Sequence, residues 1–168
     1  MTGRSGRHIE FVKRRPDHGH AECLLQAFYD DQVSRYGFAE PVDLDPAQFA
    51  VPQGGFVIVY LNGEPVGCGG WRWHDRAAAV AEIKKTYLKP GVRGAGVGRA
   101  LLTRLEQDAA AAGAEQAILE TGVRNTAALN LFSRHGYEPI ASYVPGRPPE
   151  INRAFKRSLT RARGDDQT

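Results

Sequence analysis

Residues 92–102, VRGAGVGRALL, carry three glycines at alternate positions, Gly94, Gly96 and Gly98, with Arg93 before them and Arg99 after. Glycine gives up more backbone freedom on folding than any other residue, so three in five positions need a compensating reason. A strand-like pattern precedes this stretch and a helical one follows. Strand, glycine-rich turn and helix together make an anion-binding arrangement. The first N–H groups of a helix have no internal partner, and the macrodipole makes that end partly positive. Missing side chains let an anion reach those groups, and the two arginines add charge. Two familiar phosphate loops are excluded. A P-loop needs Lys-Ser/Thr after its last glycine, and here Arg99-Ala100 follow; a dinucleotide fingerprint reads G-x-G-x-x-G, whereas this spacing is G-x-G-x-G. Taken alone, the glycines also fit a turn selected only for tight packing.

The elements that must hold this turn can be read from periodicity. Residues 9–12 read as a strand, and 17–29 as a helix capped by Asp17, with Ala21, Leu24, Leu25 and Phe28 at helical spacing. Residues 30–53 are polar and turn-rich, with Pro41, Pro46 and Pro52. Residues 56–61 and 65–72 form a hairpin about Asn62-Gly63, a favoured turn dipeptide. A strand at 78–88 stops at Pro90-Gly91. A helix at 98–112 presents Leu101, Leu102, Leu105 and Ala109 on one face, with Gly113 as its stop. A strand at 117–120 precedes a helix at 126–135, with Asn125 as N-cap and Gly136 as stop. Strands at 139–143 and 154–159 complete the pattern. One domain over residues 1–160 is expected, followed by a disordered tail at 161–168.

Composition narrows the function classes. The chain has 168 residues, 42% hydrophobic and 24% charged, with a formal charge of +3. Much of the basic excess lies near the two ends, where it is usually solvated, so nucleic-acid binding is not expected. Cys23 and Cys68 form neither a C-x-x-C pair nor a disulfide framework, which points to reduced thiols and a cytoplasmic location. The longest apolar run, FVIVYL, is far short of the roughly 20 residues of a membrane span. No apolar leader follows the first residues, MTGRSGRH.

Arg93-x-x-Gly96-x-Gly98 resembles the R/Q-x-x-G-x-G/A motif of the GNAT acetyltransferases. The stretches AEIKKTYLKPGVRGAGVGRALLTRLEQDAAAAG and AILETGVRNTAALNLFSRHGY resemble that family's two central blocks in order and spacing, and GCGGWRW resembles the strand before them. About half the chain, residues 56–143, is covered. The resemblance implies an α/β fold with a mixed, mostly antiparallel, splayed sheet flanked by helices on both faces. It implies acetyl-CoA as co-substrate, its pyrophosphate held by backbone N–H groups of Arg93, Gly94, Ala95, Gly96, Val97, Gly98 and Arg99. The pantetheine arm would lie along Thr86, Tyr87 and Leu88 and touch Asn125, and the splay of that strand from the next would leave a wedge for the thioester. The implied activity is N-acetylation of a primary amine on a small molecule or peptide, with no metal and no membrane partner, and it leaves a homodimer open.

Attack on a thioester requires a neutral amine, hence a base to take its proton. Glu82 stands in the apolar run AAAVAEI, a poor place for an unpaired carboxylate, and the matching family position often carries Glu. It is the candidate base; an ion pair with a nearby Lys or Arg is the alternative. The family's usual acid is a Tyr where this chain has Phe132, so Tyr143, Tyr87 or water is expected to take that role. Cys68 reads as a buried cysteine rather than a nucleophile. His18-Gly-His20 is too sparse for a metal site. Of Trp71 and Trp73, one is expected to face the core and the other the acceptor pocket. The acidic residues Asp30, Asp31, Glu40, Asp43 and Asp45 lie where acceptor loops lie in the family, and either attract a cationic amine or are simply solvated. A CoA-binding sensor without turnover is the rival function.

Overall fold

The computed structural model describes residues 6–42 and 44–159. The expected tail at 161–168, and Asp43 of the acidic group, lie outside the described residues. Seven strands form one sheet: β1 (Ile9–Lys13), β2 (Gly54–Leu61), β3 (Glu64–Asp75), β4 (Val80–Leu88), β5 (Gln116–Gly122), β6 (Glu138–Ile140) and β7 (Asn152–Ser158), in the order β1-β2-β3-β4-β5-β7-β6. Every pairing is antiparallel except β4 with β5. The Asn62-Gly63 turn joins β2 to β3 with both residues at positive φ, 50° and 84°, as a tight hairpin turn requires.

Helix α1 (Gly19–Tyr36) lies on one face of the sheet, and α2 (Val97–Ala111) with α3 (Thr126–Arg134) on the other. The α2 face buries Leu101, Leu102 and Leu105 against Val57, Val59, Ala81, Ile83 and Leu119. Each such leucine contributes roughly 1.5–3 kcal/mol relative to exposure. The α1 face buries Ala21, Leu24 and Leu25 with Phe49, Phe56, Ile58, Cys68 and Tyr87.

Two irregularities in β4 shape the site. Cys68 pairs with Tyr87 and Gly70 with Lys84, so Lys85 and Thr86 together oppose Gly69, and Lys85 takes a φ of 59°. This bulge bends the strand. On the other edge, β4 meets β5 only through Val80–Gln116, Ala81–Ala117 and Glu82–Ile118, after which the two strands part. β5 meanwhile stays paired to β7 along its full length. The sheet is therefore two half-sheets, β1–β4 and β5–β7–β6, joined by a three-rung seam.

Candidate active site

Glu82 sits at the last rung of that seam and is 3% exposed. Its position follows from strand register: Arg72 of β3 lies directly opposite it. The Arg72 Nε donates to Glu82 Oε1 at 3.0 Å, and the Tyr143 hydroxyl donates to Oε2 at 2.9 Å. The ion pair set against a catalytic role for Glu82 is thus present, and it occupies one oxygen. The strand expected at 139–143 ends at Ile140, and the chain beyond it carries Tyr143 back over Glu82. Burial, then the neighbouring Glu82 carboxylate, pushes the Tyr143 hydroxyl well above its ordinary pKa. Tyr143 therefore stays protonated and donating. The remaining open side of Glu82 faces a depression lined by Gln48, Gln53, Trp73 and His74. Trp71 is buried while Trp73, on the same face of β3 with its ring 5.6 Å away, borders this depression.

Where β4 and β5 part, a wedge-shaped cavity opens on the α1 side, lined by Gln32, Arg35 and Tyr36, by Ile83–Thr86 of β4, by Leu119–Gly122 of β5, and by Arg147 and Asn152. Glu120 projects here and accepts from Asn152 Nδ2 at 2.8 Å and from Arg147. Burial holds the Glu120 carboxyl above the usual carboxylate range, with Lys84 drawing it back down and Glu82 pushing it up. Arg147 and Lys85 both pair with Glu40. The acidic residues are otherwise engaged: Asp31 with Arg35 and Arg93, Asp30 with Gln26, and Asp45 as the cap of a short 3-10 turn at Pro46–Phe49.

A second crevice adjoins the wedge and shares Phe28, Arg35, Thr86, Asn125, Ala128 and Phe132 with it. It is lined by Thr86, Tyr87 and Leu88 and by Arg93, Gly94, Gly96, Gly98 and Arg99. Gly94 and Gly96 have φ of 82° and 80°, and open space lies where their Cβ atoms would stand. Gly96 caps α2 with no side chain over the first turn, leaving its N–H groups bare. These residues fit the pyrophosphate of a CoA thioester. Gly98 has a different reason: a Cβ there would come within 3.2 Å of Leu131. Ala95 is exposed in the same loop, while Val97 is buried in the core. Arg93 folds back, its Nε donating to the Leu88 carbonyl at 2.9 Å and its guanidinium lying over the Tyr87 ring. Asn125 caps α3 by accepting from Ala128 N at 3.2 Å.

Phe132 is 4% exposed and packs on Tyr137 and Phe155. Cys68 is fully buried, its thiol pushed up to about 12 by burial and donating to the Lys85 carbonyl, which leaves it inert as a nucleophile. His18 caps α1 and His20 meets the Tyr60 hydroxyl at 2.7 Å; no metal-binding group occurs among the described residues. Sequence reasoning missed Arg72, Tyr36, Glu120 and Arg147. Arg72 was within reach, because pairing the hairpin with the next strand sets it opposite Glu82; Arg147 depends on a loop that carries no periodic signal.

A splayed mixed sheet with a bare glycine turn at a helix start defines an acyl-CoA-dependent transferase class. The chain belongs to the Acetyltransferase (GNAT) family, whose model matches residues 25–137. It is 31% identical over 116 residues to the IAA acetyltransferase of Azospirillum brasilense, covering 69% of this chain and 75% of that protein. It is also 31% identical over 118 residues to the aminoalkylphosphonate N-acetyltransferase of Salmonella typhimurium, covering 68% and 72%. A crystal structure of a GNAT-family acetyltransferase from Staphylococcus aureus superposes with a TM-score of 0.73 at 18% identity, over 91% of this chain and all of that one.

Proposed function

We propose that this protein transfers the acetyl group of acetyl-CoA directly to the primary amine of a small acceptor, with Glu82 as general base. The observation that carries this reading is the Glu82 carboxylate, buried at the end of the seam with each oxygen held by one donor. Each carboxylate oxygen has two acceptor sites, so Arg72 and Tyr143 fix the group without filling it. A lone pair remains for the proton of the amine, taken directly or through water. Arg72 and Tyr143 together fix the orientation of the carboxylate. Gly94, Gly96 and the first turn of α2 hold the phosphates, helped by Arg99. Acetyl-CoA supplies the activated acyl group as a thioester. Strand β4 beyond the bulge, at Thr86–Leu88, offers backbone groups that β5 no longer pairs. The unpaired Cys23 and Cys68 suit a reducing compartment, the cytoplasm.

The test is Glu82→Gln, assayed by thiol release and by calorimetric titration with CoA. Turnover should fall by roughly 10²–10⁴-fold, the usual worth of a positioned base, while CoA affinity holds. Full activity near neutral pH removes Glu82 from the mechanism. Phe132, which has no proton to give, favours the second reading, a CoA-binding sensor. Thiol release with any member of a broad amine panel rules that reading out.

A further inference from the structure

We propose, resting on the acetyl-transfer reading, that the acceptor carries an anionic group beside its amine, a carboxylate, phosphonate or phosphate. Lys84 and the Tyr36 hydroxyl receive that group in the wedge cavity.

The charges of the cavity lead there. Four cationic residues line it, Arg35, Lys84, Lys85 and Arg147, against two carboxylates, Glu40 and Glu120. Both carboxylates are engaged, Glu40 by Arg147 and Lys85, Glu120 by Arg147 and Asn152. Arg35 is met by Asp31. Lys84 has no carboxylate within 4.0 Å among the described residues. Strand alternation places it on the same face as Glu82, two residues away. An acceptor bearing only ammonium groups would enter a cavity with surplus positive charge and no free carboxylate.

The second observation is independent of charge. The Tyr36 hydroxyl is buried and, among the described residues, is the one buried side-chain polar atom with no hydrogen-bond partner. It lies over Gly122, so close that any Cβ there would collide with it. A buried donor without a partner is costly and is rare in folded proteins, which fits a group that waits for a ligand. The co-substrate brings no anion to either residue: its pantetheine arm is uncharged, and its phosphates have the glycine turn. The lysine and the phenol both donate, as an anionic group on the acceptor requires.

The experiment compares acceptors matched in skeleton and differing in charge: 2-aminoethylphosphonate against ethanolamine, and β-alanine against β-alaninamide. Thiol release gives kcat/KM for each, and calorimetry with the CoA-loaded chain gives binding without turnover. The anionic member of each pair should be favoured by roughly 10- to 100-fold, the worth of a charged hydrogen bond. Lys84→Gln should bring the ratio towards one, and Lys84→Arg should keep it. Tyr36→Phe should narrow the ratio without lowering thermal stability, because its hydroxyl bonds to no protein atom. Equal turnover within the pairs leaves acetyl transfer standing and overturns the anionic acceptor. A preference that survives Lys84→Gln also overturns it. If no amine is acetylated but the anionic members alone bind, dependent on Lys84, the acetyl-transfer reading falls and the anion pocket stands.

Discussion

The Tyr143 hydroxyl has one proton, and it points at Glu82. Burial and that carboxylate both oppose ionisation, so the phenol is raised above its ordinary value near 10. The sign follows: the contribution of this hydrogen bond to stability is complete below about pH 10 and is lost only as pH rises through the higher folded value. Tyr87 and Tyr137 are raised by burial as well. An alkaline titration read by phenolate absorbance should therefore show a late-ionising group that includes Tyr87, Tyr137 and Tyr143, and Tyr143→Phe should make that group smaller by one. The same variant should cut turnover by about tenfold by loosening Glu82, with CoA affinity intact. Unchanged turnover would make the contact structural. Glu82 was legible because a carboxylate in an apolar run needs an explanation. Of its partners, Arg72 was within reach through strand register, whereas Tyr143 depends on the path of a loop.

At the scale of elements, the three glycines separate into two causes. Gly94 and Gly96 adopt left-handed backbone with open space above them, whereas Gly98 makes room for Leu131 between α2 and α3. The packing reading applies at Gly98, and the open backbone at Gly94 and Gly96 supports the proposed anion site. Gly96→Ala should cost about 1–2 kcal/mol of stability through its backbone conformation and weaken CoA binding as the turn shifts. Gly98→Val should instead loosen the packing of α3, seen as a lower melting temperature even without CoA. Equal behaviour of the two variants would refute the division. Helix α1 shows why boundaries were harder to read. It begins under His18, because the Asp17 carboxylate is taken by Arg15, and it runs on to Tyr36, where Gly37 at a φ of 79° ends it. The apolar spacing fades after Phe28, and the later turns are held by contacts such as Tyr36 under Arg124 that no local pattern encodes.

For the whole molecule, the seven strands and the flanking helices follow from alternation, turn residues and the glycine turn, and the splay was expected from the resemblance to the family. The wedge lining was not legible: it draws on α1, β4, β5, α3, β7 and the chain at Arg147, regions far apart in sequence. The shared wall between the wedge and the crevice, formed by Phe28, Arg35, Thr86, Asn125, Ala128 and Phe132, has a consequence for the order of events. Two compartments that touch along one wall can both be filled at once, and Cys68, the nearest thiol on that strand pair, is too deeply buried to take an acyl group between visits. Neither ligand has to depart before the other arrives. Initial-rate plots at varied concentrations of both substrates should accordingly converge rather than run parallel. Labelled CoA should not exchange into acetyl-CoA unless an amine is present. Parallel lines, or exchange without amine, would mean that the protein holds the acetyl group by itself for part of each turnover.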